Sequence, residues 1–237
     1  NATPDERYKM IVRGSGPNSI LGYTSPNGIN WNPVSKIPIL TDGPFDSHNI
    51  LLWDNNRHRY VITMRGVDQS IQGPFFEGRR AIRRSESEDF RQWSKPELVI
   101  TPSEGDPANL HLYTNAAVKY ERAARAYFMF PMVLYPDRRY PTAPYPGLSD
   151  VQFACSRDGI HWKREFRHPF LTPGLDEKNW VDRNPIMGAG ILQTGPKELS
   201  MYYSERLRSN SCRFRRCTLR PDGFVSIHGP YNGWGEF

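Results

Sequence analysis

The chain has 237 residues and carries 31 Lys and Arg against 25 Asp and Glu, a formal charge of +6. No apolar run approaches the ~18 residues of a membrane-spanning helix, so no membrane partner is expected, and the length suits one domain. With 13% aromatic residues, 21 Pro and 19 Gly, and short apolar runs between turn residues in place of i, i+3, i+4, i+7 spacing, the chain reads as all-β.

The excess charge is concentrated in Arg79, Arg80, Arg83 and Arg84 and in Arg206, Arg208, Arg213, Arg215, Arg216 and Arg220. On alternating strands these split between faces, which predicts a solvated outer surface. Neither a lysine-rich stripe nor a nucleic-acid-binding module accompanies them, so no nucleic-acid partner is expected. Cys155, Cys212 and Cys217 make no disulfide framework, and the last two would point to opposite faces of one strand.

The chain opens on Asn1 with no basic or apolar leader. If that terminus is processed or truncated, a secreted or periplasmic location is favoured. A turn motif then recurs: Ser25-Pro26-Asn27-Gly28-Ile29-Asn30-Trp31, Ser87-Glu88-Asp89-Phe90-Arg91-Gln92-Trp93 and Ser156-Arg157-Asp158-Gly159-Ile160-His161-Trp162 share Ser-x-Asx-Gly/Phe-x-x-Trp. A decayed fourth copy is Arg220-Pro221-Asp222-Gly223-Phe224, and the Asx positions step by 62, 69 and 64 residues. Asx-Gly supplies the positive φ of a tight turn, and the Trp should pack back between sheets.

Upstream of each turn lies a strand: 7–14, 59–66, 126–130 and 198–204. Before the last three comes a further apolar strand, at 49–53, 115–120 and 185–192. Each repeat therefore reads as about four antiparallel strands, and such sheets at this interval are propeller blades. The expected fold is an all-β propeller of four-stranded antiparallel blades, five-bladed and incomplete in this chain, with the innermost strand of the first blade lacking. The tail 229–237 would close the ring or lead into a further segment. Long connections at 67–78 and 131–149 are candidate lids. Tyr135, Tyr140 and Tyr145 in the second could offer flat surfaces to sugar rings.

In a propeller the innermost strands line the channel, so their starts converge at one end of the axis. Those starts hold Asp46, His48 and Asn49; Tyr113, Thr114 and Asn115; and Asp182, Arg183 and Asn184. Two carboxylates, Asp46 and Asp182, thus enter from different blades. A facing carboxylate pair is what glycosidic bond hydrolysis needs, one as acid and one as base or nucleophile. Glu205 and Asp150 are rival acids, and Arg65 and Arg80 could hold hydroxyls or a substrate carboxylate through forked hydrogen bonds.

The blade pattern, the Asp46-led strand and the Ser-x-Asp-Gly-x-x-Trp turns resemble the five-bladed propeller glycoside hydrolases of families 32, 43 and 68, closest to uncharacterised bacterial family 32-like proteins. That resemblance implies a glycoside hydrolase acting on an oligo- or polysaccharide. Asp46 would be base or nucleophile, with Asp182 and Glu205 as the other catalytic candidates. His48, Asn49, Arg65, Arg80, Asn115 and Arg183 would contact substrate. The Arg-Asp-Pro and Glu-Cys-Pro signatures of family 32 are absent, and Asn115 stands where a stabilising Asp would be expected.

Sialidases are a second resemblance: their three-arginine clamp and Tyr nucleophile would map onto Arg65, Arg80, Arg183 and Tyr113, although their boxes hold one more spacing residue. No ligand cluster demands a cofactor or metal, while resemblance to family 43 implies a channel cation such as calcium. A non-catalytic carbohydrate-binding or interaction propeller is the alternative from another class, and a phosphorylase with arginines holding phosphate is the alternative among enzymes.

Overall fold

The computed structural model describes residues 2–16, 18–69 and 78–226. The first sheet contains β1 (Tyr8–Arg13), β2 (Ile20–Ser25) and β3 (Asn32–Pro33), all antiparallel. The second contains β4 (Ile50–Asp54), β5 (Arg59–Asp68), β6 (Arg79–Ser87) and β7 (Glu97–Ile100) in simple meander order.

The third sheet is a meander interrupted halfway. Its inner strand is β8 (His111–Leu112) and β9 (Val118–Lys119); the next is β10 (Tyr127–Met129) and β11 (Met132–Tyr135); then follow β12 (Leu148–Val151) with β13 (Ala154–Ser156), and β14 (Trp162–Lys163). Pro131 interrupts the second of these strands, where it cannot donate to the ladder. The register survives nonetheless: Met129 faces Ala154 and Met132 faces Val151, with two residues between on each side. Toward the inner strand the spacing differs. Leu112 faces Val133 and Val118 faces Phe128, so five inner residues oppose four. The extra residue makes a bulge, marked by Ala116 at φ 44°, next to Tyr113. Bulges of this kind re-aim side chains.

The fourth sheet places β15 (Ile186–Met187) and β16 (Leu192–Gly195) along one side of β17 (Glu198–Glu205), with β18 (Arg213–Leu219) on the other. The tail 229–237 lies outside the described residues. Apolar cores lie between consecutive sheets. Ile20 and Phe45 meet Ile62 and Met64; Ile82 and Ile100 meet Leu112, Met129 and Val133; Ala116, Phe130 and Phe153 meet Met187 and Met201. Face-to-face sheets with cores between successive members form the propeller-like all-β arrangement that the repeat predicts.

The repeated turn has a defined chemistry. In all three full copies the Asx Oδ1 accepts two backbone N–H groups, at 2.8–2.9 Å. The Trp indole N–H closes the turn on the carbonyl of the positive-φ residue, Gly28, Phe90 or Gly159. The fourth copy differs: Asp222 itself takes the positive φ, and its carboxylate accepts from the Tyr120 hydroxyl at 2.7 Å.

Three expectations need correction. Arg79 and Arg84 do not lie on a solvated surface: both are buried, Arg79 against Asp68 and the Pro102 carbonyl, Arg84 against Glu86. The presumed lids are shorter, because Val67 and Asp68 pair with Arg80 and Arg79, and β11 and β12 take up both ends of the second connection. Cys212 precedes β18 and does not share that strand with Cys217; all three cysteines are free.

Candidate functional site

The starts of the inner strands converge, and Tyr113 is where they meet. Its phenol ring lies under three guanidinium groups: Arg65 from β5 at 4.4 Å, Arg80 from β6 at 4.8 Å and Arg183 at 5.7 Å from the ring centroid. Arg65 is buried, and it fixes the segment before β4 by donating to Asp46 Oδ2 and to Ser47 Oγ, both at 2.5 Å. The Asp46 side chain is nearly half exposed at 45%. It is therefore an accessible carboxylate held in one orientation.

Asp182 enters from the segment leading into the fourth sheet. Arg208 binds it with both arms, Nε to Oδ1 at 3.0 Å and Nη2 to Oδ2 at 2.8 Å, and Arg183 Nε lies 3.2 Å from Oδ2. Arg208 stacks on Tyr145, 4.2 Å from its centroid. Four guanidinium groups thus surround two carboxylates, each already paired. Burial and the neighbouring Arg65 both depress the basicity of Arg80, while Tyr113 and Asp46 oppose this. Such crowding of like charge favours an added anion.

The other sequence candidates lie around this centre in different roles. His48, at φ 50°, accepts the backbone N–H groups of Asn115 and Ala116 at Nδ1, 3.3 and 3.2 Å away. Burial pulls its pKa down to about 4, so it is a neutral acceptor near pH 7. Asn115 returns the contact, Nδ2 to the His48 carbonyl at 2.8 Å, and its Oδ1 accepts from Thr63 and from the Ala117 N–H. Asn49 Nδ2 holds the Phe45 carbonyl, and its buried Oδ1 has no hydrogen-bond partner. His48 and Asn115 thus join the second sheet to the third, while Asn49 braces the segment before β4.

Glu205 makes its contacts elsewhere, with Arg213 at 2.8 Å, Arg215 at 3.9 Å and the Tyr203 hydroxyl at 3.2 Å on the β17–β18 hairpin. Tyr145 and Arg208 were not singled out together in the sequence, because the 63 positions from Tyr145 to Arg208 hide their proximity. His111 was also missed. Its Nδ1 accepts the Arg80 N–H at 2.9 Å, and burial with three arginines nearby lowers its pKa to about 4.

Among the described residues no group of three His, Cys, Asp or Glu could hold a metal. Calcium takes 6–8 oxygen ligands. The Tyr113 centre offers two carboxylates already bound by guanidinium groups, so its residues do not fit a channel cation.

No family model matches the chain, and no curated protein matches it. Solved structures do. It is similar to the β-1,2-mannobiose phosphorylase from Listeria innocua, with 17% identity and a TM-score of 0.58 over 85% of this chain and 51% of that one. It is also similar to a glycosyl hydrolase from Bacteroides ovatus, with 16% identity and a TM-score of 0.55 over 93% and 64%. A third is the family 32 β-fructofuranosidase from Bombyx mori, at 12% identity and a TM-score of 0.59 over 90% and 43%. The chain spans about half the length of these enzymes, and what it shares with them is the fold.

Proposed function

We propose that the Tyr113 centre processes glycosides, with Asp46 as the base or nucleophile and the arginines binding an anion beside it. The observation that carries this reading is the single accessible carboxylate oriented by Arg65, next to three guanidinium groups gathered over one ring. A planar guanidinium recognises a carboxylate or phosphate through two parallel hydrogen bonds. The anion is then either the carboxylate of an acidic sugar or inorganic phosphate attacking the glycosidic carbon. Asp182 is the expected second carboxylate, and it must exchange its bonds to Arg208 before it can take or give a proton. Glu205 is the remaining acid candidate.

A second reading rests on that same pairing of Asp182: a propeller that binds glycans without cleaving them. One experiment separates the readings. Turnover of neutral and acidic aryl glycosides is measured with and without phosphate, on wild type and Asp46→Asn. Loss of general base or nucleophile should lower turnover by about 10²–10⁴-fold. Phosphate-dependent turnover identifies a phosphorylase, and phosphate-independent turnover a hydrolase. Glycan binding with no turnover on any substrate supports the non-catalytic alternative, and turnover unchanged in Asp46→Asn removes Asp46 from the chemistry.

A further inference from the structure

A cleft of about 410 Å³ opens between β11 and β12 of the third sheet and the segment 169–180, lined by Tyr135, Arg138, Leu148, Asp150, Leu175 and Trp180 among others. It is distinct from the Tyr113 centre but borders it. Trp180 faces the cleft, whereas Asp182 and Arg183, two and three residues on, belong to the arginine group. Ser149 in the cleft wall exchanges hydrogen bonds with the Asn184 backbone at 3.1 Å in both directions.

The walls are largely apolar and aromatic: Trp180 packs against Tyr140 at 5.4 Å, and Leu175 is 98% exposed. Arg138 and Asp150 are the charged exceptions, and Asp150 is the buried one. It is 6% exposed, and its Oδ1 is buried with no hydrogen-bond partner. A chain of polar groups holds the carboxyl in place: Arg164 donates to Gln152, Gln152 donates to the Tyr135 hydroxyl at 3.2 Å, and Tyr135 hydrogen-bonds Asp150. Burial pushes Asp150 up to about 6. An unpartnered buried acceptor costs free energy that only an incoming donor can recover.

A ligand for this cleft must therefore offer an apolar face to Trp180 and Leu175 and a hydroxyl or amide donor to Asp150, the Tyr135 ring being covered by Arg138 at 3.8 Å. Arg138 and Arg164 both act on the Asp150 carboxyl, which disfavours a cationic ligand. Uncharged sugar rings combine C–H faces with hydroxyl donors. We infer that the Asp150–Trp180 cleft is a second binding site for a neutral saccharide unit, placed to hold a part of a glycan whose other end reaches the Tyr113 centre. This deepens, and rests on, the glycan reading of that centre.

The test is titration calorimetry of the whole chain with neutral oligosaccharides, namely cellobiose, β-1,2-mannobiose and their longer homologues. Wild type is compared with Trp180→Ala, Asp150→Leu, Asp150→Asn and, for the other centre, Arg65→Ala, with circular dichroism to establish folding. Trp180→Ala and Asp150→Leu should each weaken binding by at least tenfold, while Asp150→Asn, which keeps an acceptor and fold, loses less. Undiminished binding in folded Trp180→Ala and Asp150→Leu overturns the inference, as does wild-type binding to none of these saccharides. Loss confined to Arg65→Ala leaves the Tyr113 centre standing and the cleft excluded; loss confined to the cleft variants does the reverse. Should Asp150→Leu fail to fold, Trp180→Ala decides alone.

Discussion

A histidine shows how a residue chosen for chemistry can serve the scaffold. His48 Nδ1 is the acceptor for two N–H groups whose residues, Asn115 and Ala116, are at most 1% exposed. His48→Ala would leave both donors unpaired, at about 1–3 kcal/mol each. Asn supplies an acceptor and tolerates the positive φ, so His48→Asn should melt closer to wild type than His48→Ala; equal melting temperatures would refute the acceptor role. The pH dependence has a definite sign. The native pKa of about 4, for both His48 and His111, lies below the ordinary 6.5, so the unfolded chain binds more protons between these values. Stability contributed by the neutral rings is full above pH 6.5 and declines as pH falls toward 4. Asp150 acts oppositely, since its pKa of about 6 exceeds the ordinary 3.8, and its ionisation disfavours the fold as pH rises through that interval. Melting of His48→Asn should therefore fall less steeply between pH 6.5 and 4 than that of wild type, and parallel curves would remove His48 from the acid response.

At the scale of the element, the turn motif was legible because its residues have local partners. An Asx carboxyl or amide oxygen binding two N–H groups works within a few residues, and so repeats visibly in sequence. Phe90 is the informative variant. It occupies the position of Gly28 and Gly159 at φ 66°, yet its ring is fully buried between Tyr60 and Trp93. Removing the ring costs about 3–5 kcal/mol, as for Phe→Ala in a core. The left-handed backbone costs an L-residue ~1–2 kcal/mol that glycine avoids. Phe90→Gly should thus be less destabilising than Phe90→Ala by about 1 kcal/mol in urea unfolding, although both fall below wild type. The reverse order would mean that the turn carries no backbone strain. What stayed illegible depends on tertiary cover. Alternation along β6 puts Arg79 with Arg83 on one face and Arg80 with Arg84 on the other, and says nothing about which loops cover either face. The bulge at 113–117 was hidden as well, because a one-residue excess appears only when the partner strand is known.

Across the whole molecule, the arginine centre joins sheets that also meet through apolar cores and, between the second and third, through the His48–Asn115 hydrogen bonds. Arg65 and Arg80 come from the second sheet, Tyr113 from the third, and Arg183 from the segment leading into the fourth. An anion seated among them would bind groups from all three sheets at once, whereas in the unfolded chain these residues are dispersed over more than 100 positions. Binding to the native state alone raises stability by RT ln(1 + [L]/Kd), about 2.7 kcal/mol when the ligand is at 100 times its Kd. Phosphate should therefore raise the melting temperature more than chloride at matched ionic strength, which controls for screening of the guanidinium groups by salt. The increment should disappear in Arg65→Ala and Arg183→Ala. The two variants differ in baseline: Arg65 is buried and fixes Asp46 and Ser47, so its loss lowers stability without any ligand, while the half-exposed Arg183 costs little. Arg183→Ala is for that reason the cleaner probe. Equal increments for phosphate and chloride, or a phosphate increment that persists in Arg183→Ala, would mean that the three guanidinium groups over Tyr113 do not act together as an anion site.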